Sequence, residues 1–281
     1  MEGIRPPAVA GSFYPSEPGE LGRLMEECFD SSPLGPQRRK SSSASLIGGL
    51  VPHAGYIYSG PCAAHFYARL DPSIRRVILL GVNHQARGHR AALSPADFWQ
   101  TPLGAVSIDR DLSERLQGHV NFLKPDETAH ASEHSLEVQL PLLQHVLGEF
   151  SIIPISLAHI SLAECRELGA AVAEVLVDHR QSALRTVIIA SSDLNHYLSP
   201  QKTVALDRIA LEQVLALDPN GLIAAAERNN ITMCGLLPTA VLLFAANRLG
   251  VKHADLLKHC HSGDVTPMRR VVGYASVAFG W

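Results

Sequence analysis

Apolar runs of strand length punctuate the chain and alternate with segments of helical period. The run LIGGLV, residues 46–51, is closed by Pro52. RVILLG (76–81), SIIPISL (151–157) and RTVIIA (185–190) follow it, all rich in Val, Ile and Leu as in strands covered on both faces. Between and around them, helices are expected over 20–29, 61–70 with Pro61 in its first turn, 109–116 with an Asp cap, 161–179, 200–217 and 220–228. A further helix opens at Ser132 and Glu133 and carries Leu136, Leu140, Leu143 and Leu147 as its buried stripe. Cys234 and Gly235 precede a strongly apolar helix, and the tail RRVVGYASVAFGW reads as a last strand. Residues 91–107 are irregular and hold a hairpin, with turns near Trp99 and at Thr101 and Pro102. Such strand and helix alternation predicts one α/β domain over residues 1–281, with a mostly parallel central sheet flanked by helices. The Pro- and Gly-rich stretch 5–19 is read as ordered loop tacked onto the core by Val9, Phe13 and Tyr14. SSPLGPQRRKSSSAS, which carries the charges Arg38, Arg39 and Lys40, is read as a solvated, mobile loop.

Composition narrows the classes. A chain of 281 residues with 46% hydrophobic content can bury a large core. Its net charge of −3, with Lys and Arg scattered, leaves no electrostatic footprint for nucleic acid or an anionic membrane. There is no apolar leader after the first charges and no run near the ~20 residues of a membrane span, so a cytoplasmic protein is expected. Five cysteines without CxxC spacing suit reduced thiols.

Fourteen histidines are many for this length, and three stand in the same grammatical position. His53 follows LIGGLV through Pro52, His84 follows RVILLG through Val82 and Asn83, and His196 follows RTVIIA through Ser191, Ser192 and Asp193. Ligands of open α/β sheets bind beyond the carboxyl ends of strands, so three imidazoles delivered there can converge on one point. Asp193 lies three residues before His196, and Cys234 at a helix N-terminus is placed to ionise. Imidazole and thiolate together suit iron, copper or zinc, and not magnesium or calcium. His134 and Glu137, three apart, fit either helix capping or the wall of an active site. Cys62 and His65 are read as core filling and His89 as a surface residue.

The segments RPPAVAGSFYP, PHAGYIYSGPCAAHFYARLDPSI, LGVNH, EHSLEVQLP, SSDLNHY and TMCGLLPTAVLL resemble the motifs of the MEMO family, in the family's order and over residues 5–281. Members of that family resemble the catalytic subunit of class III extradiol ring-cleaving dioxygenases. Microbial ones are described as protein B of an AmmeMemoRadiSam system, and eukaryotic ones as mediators of cell motility that bind peptides and metal. The resemblance implies a metal pocket of His53, His84, His196 and Cys234 lined by Asp193. It makes His53 and His84 the paired ligands and His196 an acid/base or further ligand. His196 and Asp193, with His134 added by its spacing from Glu137, are the candidate catalytic groups. The resemblance also implies a functional link to the other AmmeMemoRadiSam components, a radical SAM protein among them. Cys234 stands where the dioxygenases have a Glu, which shifts preference towards copper or zinc.

Three readings follow. The chain is a redox protein dependent on non-haem iron or copper, with zinc as a further candidate; or a non-catalytic module binding a small molecule or peptide; or a metal-free hydrolase with Cys234 as nucleophile, His196 as base and Asp193 as orienter.

Overall fold

The computed structural model describes residues 3–37, 46–178 and 185–280. The charges Arg38, Arg39 and Lys40 of the expected mobile loop, the last residue of the expected helix 161–179 and Trp281 lie outside the described residues.

In chain order the elements are β1 (Ile4–Arg5), α1 (Pro18–Glu26), β2 (Leu46–Val51), α2 (Tyr56–Tyr67), β3 (Ile74–Val82), β4 (Ala91–Leu93), β5 (Phe98–Thr101), β6 (Gly104–Ile108), α3 (Arg110–His119), β7 (Lys124–Pro125) and α4 (Gln139–Val146). They continue with β8 (Ser151–Leu157), α5 (Leu162–Asp178), β9 (Arg185–Ser191), β10 (His196–Leu198), α6 (Pro200–Leu215), α7 (Pro219–Asn229), α8 (Leu236–Leu249), β11 (His253–His261), α9 (Ser262–Val265) and β12 (Val271–Gly280). Among the described residues the strands join one sheet in the order β1-β5-β6-β8-β3-β9-β2-β12-β10, with β11 on β12 and β4 on β8. From β6 to β2 every neighbouring pair is parallel, and the antiparallel strands β5, β12, β11 and β10 extend this centre on either side.

The apolar runs are continuous because the central strands are covered on both faces. Ile78, Leu80, Ile153, Ile155, Ile188 and Ala190 pack on one side with α3, α5 and α8. Val77, Leu79, Ile152, Val187 and Ile189 alternate to the other side, against α1, α2 and α4. The two apolar layers share the same strands, which makes this a single α/β domain with a mostly parallel central sheet. No described helix is long and apolar enough to cross a membrane.

Two helices begin elsewhere than their sequence suggests. α2 starts at Tyr56, so Pro61 is internal; Gly55 precedes the first turn and the Ser59 hydroxyl donates to the Ala54 carbonyl at 2.9 Å. α4 starts at Gln139, seven residues after Ser132. The intervening backbone is engaged elsewhere: the Ser135 hydroxyl donates to the Val82 carbonyl and accepts from the Val82 amide, while the Glu133 carboxylate accepts from the amides of His134 and Ser135. Side chains that bond nearby backbone compete with the helix ladder, and here they hold the segment against the end of β3. β11 has no counterpart in the sequence reading, because most of its side chains are polar or partly exposed.

The N-terminal arm is fastened by a fully buried ion pair. Arg5 Nη1 lies 2.7 Å from Glu137 Oε2, its Nε and Nη2 donate to the carbonyls of His130 and Glu133, and its guanidinium stacks 4.0 Å from the Trp99 ring centre. Glu137 also accepts from the Tyr14 hydroxyl and from the amides of Ala8 and Val9. Removing one partner of such a pair strands the other charge in the core, so Arg5→Met is expected to cost about 3–5 kcal/mol in urea unfolding. Arg5→Met combined with Glu137→Gln should recover part of that loss. Equal destabilisation by the single and double variants would show that the charge balance is not what matters.

Candidate functional site

β9 lies between β2 and β3, so the segments that follow these three strands emerge side by side at one edge of the sheet. β2 runs into Pro52 and His53, β3 into Asn83 and His84, and β9 into Ser192, Asp193 and, at the start of β10, His196. Cys234 comes from the turn before α8, and His134 from the segment held against β3. His53, His84, His134, Asp193, His196 and Cys234 line one pocket of about 560 Å³, together with Phe13 of the N-terminal arm and Tyr197. His65 and His89 lie outside it: His65 bonds the Leu34 carbonyl, and His89 bonds Ala91 and Asp126.

Each ring is oriented by the hydrogen bond at its other nitrogen. The Ser191 hydroxyl gives its only proton to the Ser135 carbonyl at 2.6 Å and accepts from Gln139 Nε2 at 2.8 Å. His53 Nδ1, 2.9 Å from the same oxygen, therefore donates, and the lone pair of His53 falls on Nε2, which faces Cys234 Sγ at 3.1 Å. His84 Nδ1 lies 2.9 Å from Glu133 Oε1, and His196 Nδ1 lies 2.9 Å from the Thr232 carbonyl. Both partners only accept when the carboxylate is ionised, so these rings too carry their lone pairs on Nε2. A carboxylate behind an imidazole is the support that metal-ligating histidines receive in many proteins.

Among the described residues one group of His, Cys, Asp and Glu offers three donor atoms within 4.8 Å of one another, and it is His53, His84 and His134. The rings of His84 and His134 stack with centroids 4.6 Å apart, and His53 stands edge-on to both at 5.2 and 5.3 Å. His196 and Cys234 share the pocket but not this three-atom group. His134 and Glu137 do not act on one face: His134 enters the pocket, whereas Glu137 is buried behind it against Arg5.

Burial sets the charge states. It drives His53 well below the usual imidazole range, with the neighbouring histidines adding to the effect, and brings His134 down to about 4. His196 is also lowered by burial. Burial opposes ionisation of Glu133, but the His84 ring, the Ser135 amide and the charge of His134 outweigh it and bring the carboxyl to about 2. Asp193 is buried, and despite the amides of His53 and Ala54 its carboxyl is raised to about 7. Cys234 departs from the expectation of a ready thiolate: burial, with Asp193 adding, pushes it up to about 12, because Gly235 rather than Cys234 opens α8 and desolvation exceeds any help from the helix end. On the protein's own charges the sulfur is a thiol, and its imidazole partner is His53 rather than His196.

Sequence reasoning missed Glu133, Ser191 and Thr232, which bond the rings from behind, and Gln139, which acts on His53 only through Ser191. Glu133, beside His134 in an EHS triplet next to a helix start, was the one with a usable signal.

The Memo family model, described as "Memo-like protein", matches residues 5–278. A MEMO1 family protein of Methanopyrus kandleri is 42% identical over 282 residues, with 98% of each chain covered. MEMO1 family proteins of Ignicoccus hospitalis and Pyrobaculum arsenaticum are 41% and 39% identical, covering 98% of this chain and 98% and 99% of their own.

Two outcomes are expected. Glu133→Gln, which keeps an oxygen for His84 but loses the charge, should weaken binding of added Zn(II) about 10–100-fold in calorimetric titration while the fold persists. The second concerns acid. A histidine lowered in the folded state takes a proton more readily when unfolded, so its contribution is full above about pH 6.5 and is lost as pH falls towards its folded value. His130, which burial lowers to about 4, and His134 both act this way, with His53 and His196 in the same direction. Asp193, raised to about 7, works oppositely but alone. Metal-free protein should therefore lose stability steadily between pH 6.5 and about 4, and a flat profile of urea midpoints there would contradict the neutral buried histidines.

Proposed function

This chain belongs to the Memo family, and from that premise we propose that it is a transition-metal redox protein in which His53, His84 and His134 hold the ion and Cys234, beside His53, is a fourth donor. The observation that carries the reading is the approach of one donor atom from each of the three histidines to within 4.8 Å of the others. Two of the rings have their outward nitrogens occupied by Ser191 and Glu133, so their lone pairs are turned inward without further rearrangement. Burial keeps His53 and His134 neutral, the state in which imidazole ligates. The donor set suits iron or copper, with zinc next, and the likeness of the family to extradiol dioxygenases favours a redox-active ion over a hydrolytic one.

Bound there, such an ion would supply dioxygen activation or electron transfer. The chain's own residues do the rest. His196, with its lone pair on Nε2 and its other nitrogen committed to Thr232, takes a proton from a substrate in the pocket. Asp193, balanced near neutrality, can hold or release one. Phe13 and Tyr197 give the pocket an aromatic edge for a small molecule or a peptide side chain. Cys234 must shed its proton to become a donor, which a nearby cation favours and burial alone opposes. Coupling to the other AmmeMemoRadiSam components, including a radical SAM protein, and a cytoplasmic setting belong to the same proposal.

Elemental analysis of untagged protein is expected to find about one iron or copper per chain. Cys234→Ser should lower affinity for added Cu(II) by at least about tenfold, or 1.4 kcal/mol. Added metal should also slow alkylation of Cys234. Protein that neither carries nor takes up metal, yet binds a small ligand in this pocket without turning it over, would leave only the non-catalytic reading.

A further inference from the structure

Behind His196 and Thr232 lie two buried polar residues that the proposed chemistry does not use. Asp207 on α6 and Asn195 are both completely buried. Asp207 Oδ1 accepts from the Asn195 amide at 3.0 Å and from Asn195 Nδ2 at 2.7 Å, which fixes the Asn195 carboxamide with its oxygen pointing away from Asp207. That oxygen accepts from the Thr232 amide at 3.0 Å. Thr232 in turn grips His196 twice: its hydroxyl oxygen accepts from the His196 amide at 2.8 Å, and its carbonyl accepts from His196 Nδ1. The second oxygen of Asp207 is met by His259 Nε2 at 2.9 Å, on β11. Asp207 reaches this position only because residue 273 is glycine, since a Cβ there would lie 2.0 Å from Asp207 Oδ2.

We infer that Asp207 and Asn195 are positioning residues for His196: acting through Thr232, they hold its ring in the Nδ1–H tautomer with the Nε2 lone pair turned to the pocket. The inference rests on the role given to His196 above and names what enforces it. This hydrogen-bonded series is not a proton wire, because the Asn195 carboxamide and the Thr232 backbone have fixed donor and acceptor ends. It is a jig: an uncompensated carboxylate at its base would be costly, and His259, which is 20% exposed, supplies the closing donor from β11. Orientation is the property at stake, since an imidazole free to flip presents N–H and lone pair alternately, and only the latter accepts a proton.

The test uses metal-free full-length protein with 15N-labelled histidine rings at about pH 8, where neutral imidazole predominates. Signals are assigned by loss in His196→Gln, His53→Gln and His84→Gln. In the wild type His196 should show the Nδ1–H signature. Asp207→Asn, which keeps an oxygen for both Asn195 donors, should retain it. Asn195→Ala should convert His196 to an average of both tautomers, while His53 and His84, held by Ser191 and Glu133, stay unchanged. An unaltered His196 signature in folded Asn195→Ala overturns the inference. Should that variant not fold, wild-type hydrogen exchange decides: the Thr232 amide, on an otherwise exposed residue, should be protected at least about 100-fold, and free exchange overturns the inference equally. Neither readout requires metal or turnover, so the outcome stands apart from the elemental analysis that tests the redox reading.

Discussion

The buried pair of Arg5 and Glu137 is the constraint on which the site depends. Two charges taken fully out of water are costly, and the cost is offset only where the remaining donors and lone pairs are used. Here they are used: each of the three nitrogens of Arg5 and both oxygens of Glu137 find partners, among them the amides of Ala8 and Val9 and the Tyr14 hydroxyl. The arm that this pair fastens delivers Phe13, whose ring packs 4.5 Å from His134 and whose carbonyl accepts from the Tyr56 amide at the start of α2. Arg5 also holds the Glu133 carbonyl, and the carboxylate of that residue orients His84. One ion pair thereby ties the first turn of α2, the approach to α4 and two pocket histidines together. An apolar pair of equal volume could pack as well, but it would take their partners from the Ala8 and Val9 amides and the Tyr14 hydroxyl of the arm and from the carbonyls of His130 and Glu133.

A second constraint runs through the pocket itself. Its rings are fixed by acceptors of different kinds: a hydroxyl whose proton is already spent for His53, a carboxylate for His84, and a backbone carbonyl for His196. In each case the inward nitrogen is specified by chemistry one shell away. The result is a pocket in which burial opposes protonation of His53, His134 and His196 and in which the nitrogens left free of these outer bonds already face inward.

Much of this was legible in the sequence because the physical signals were local. Valine- and isoleucine-rich runs ended by Pro52, Asn83 and Ser191 marked β2, β3 and β9, and the histidines just beyond them are where the turns take them. The Asp109 cap of α3 and the final strand β12 were equally local. What was not legible depends on partners far apart in the chain. Arg5 and Glu137 are separated by 132 residues, and nothing in RPPAVAG announces a buried guanidinium. The late start of α4 follows from Glu133 and Ser135 bonding to β3 rather than from any propensity of their own. The protonation of Cys234 reflects desolvation by the assembled pocket, which a helix-terminus argument from sequence cannot weigh. β11, with its mostly polar face, pairs because β12 offers it an edge.

The order β3-β9-β2 has a metric consequence. Neighbouring strands in a sheet stand about 4.8 Å apart, a spacing set by the length of peptide hydrogen bonds and indifferent to side chains. His53 and His84 rise from strands on either side of β9, so the distance across which their rings must lean is twice that interval. The sheet therefore acts as a ruler engraved by the backbone. Mutation can change what lies along the rim, where Phe13 and Tyr197 sit, without moving the graduations. Widening or narrowing the gap between the two imidazoles would require breaking the sheet at its most deeply buried strands.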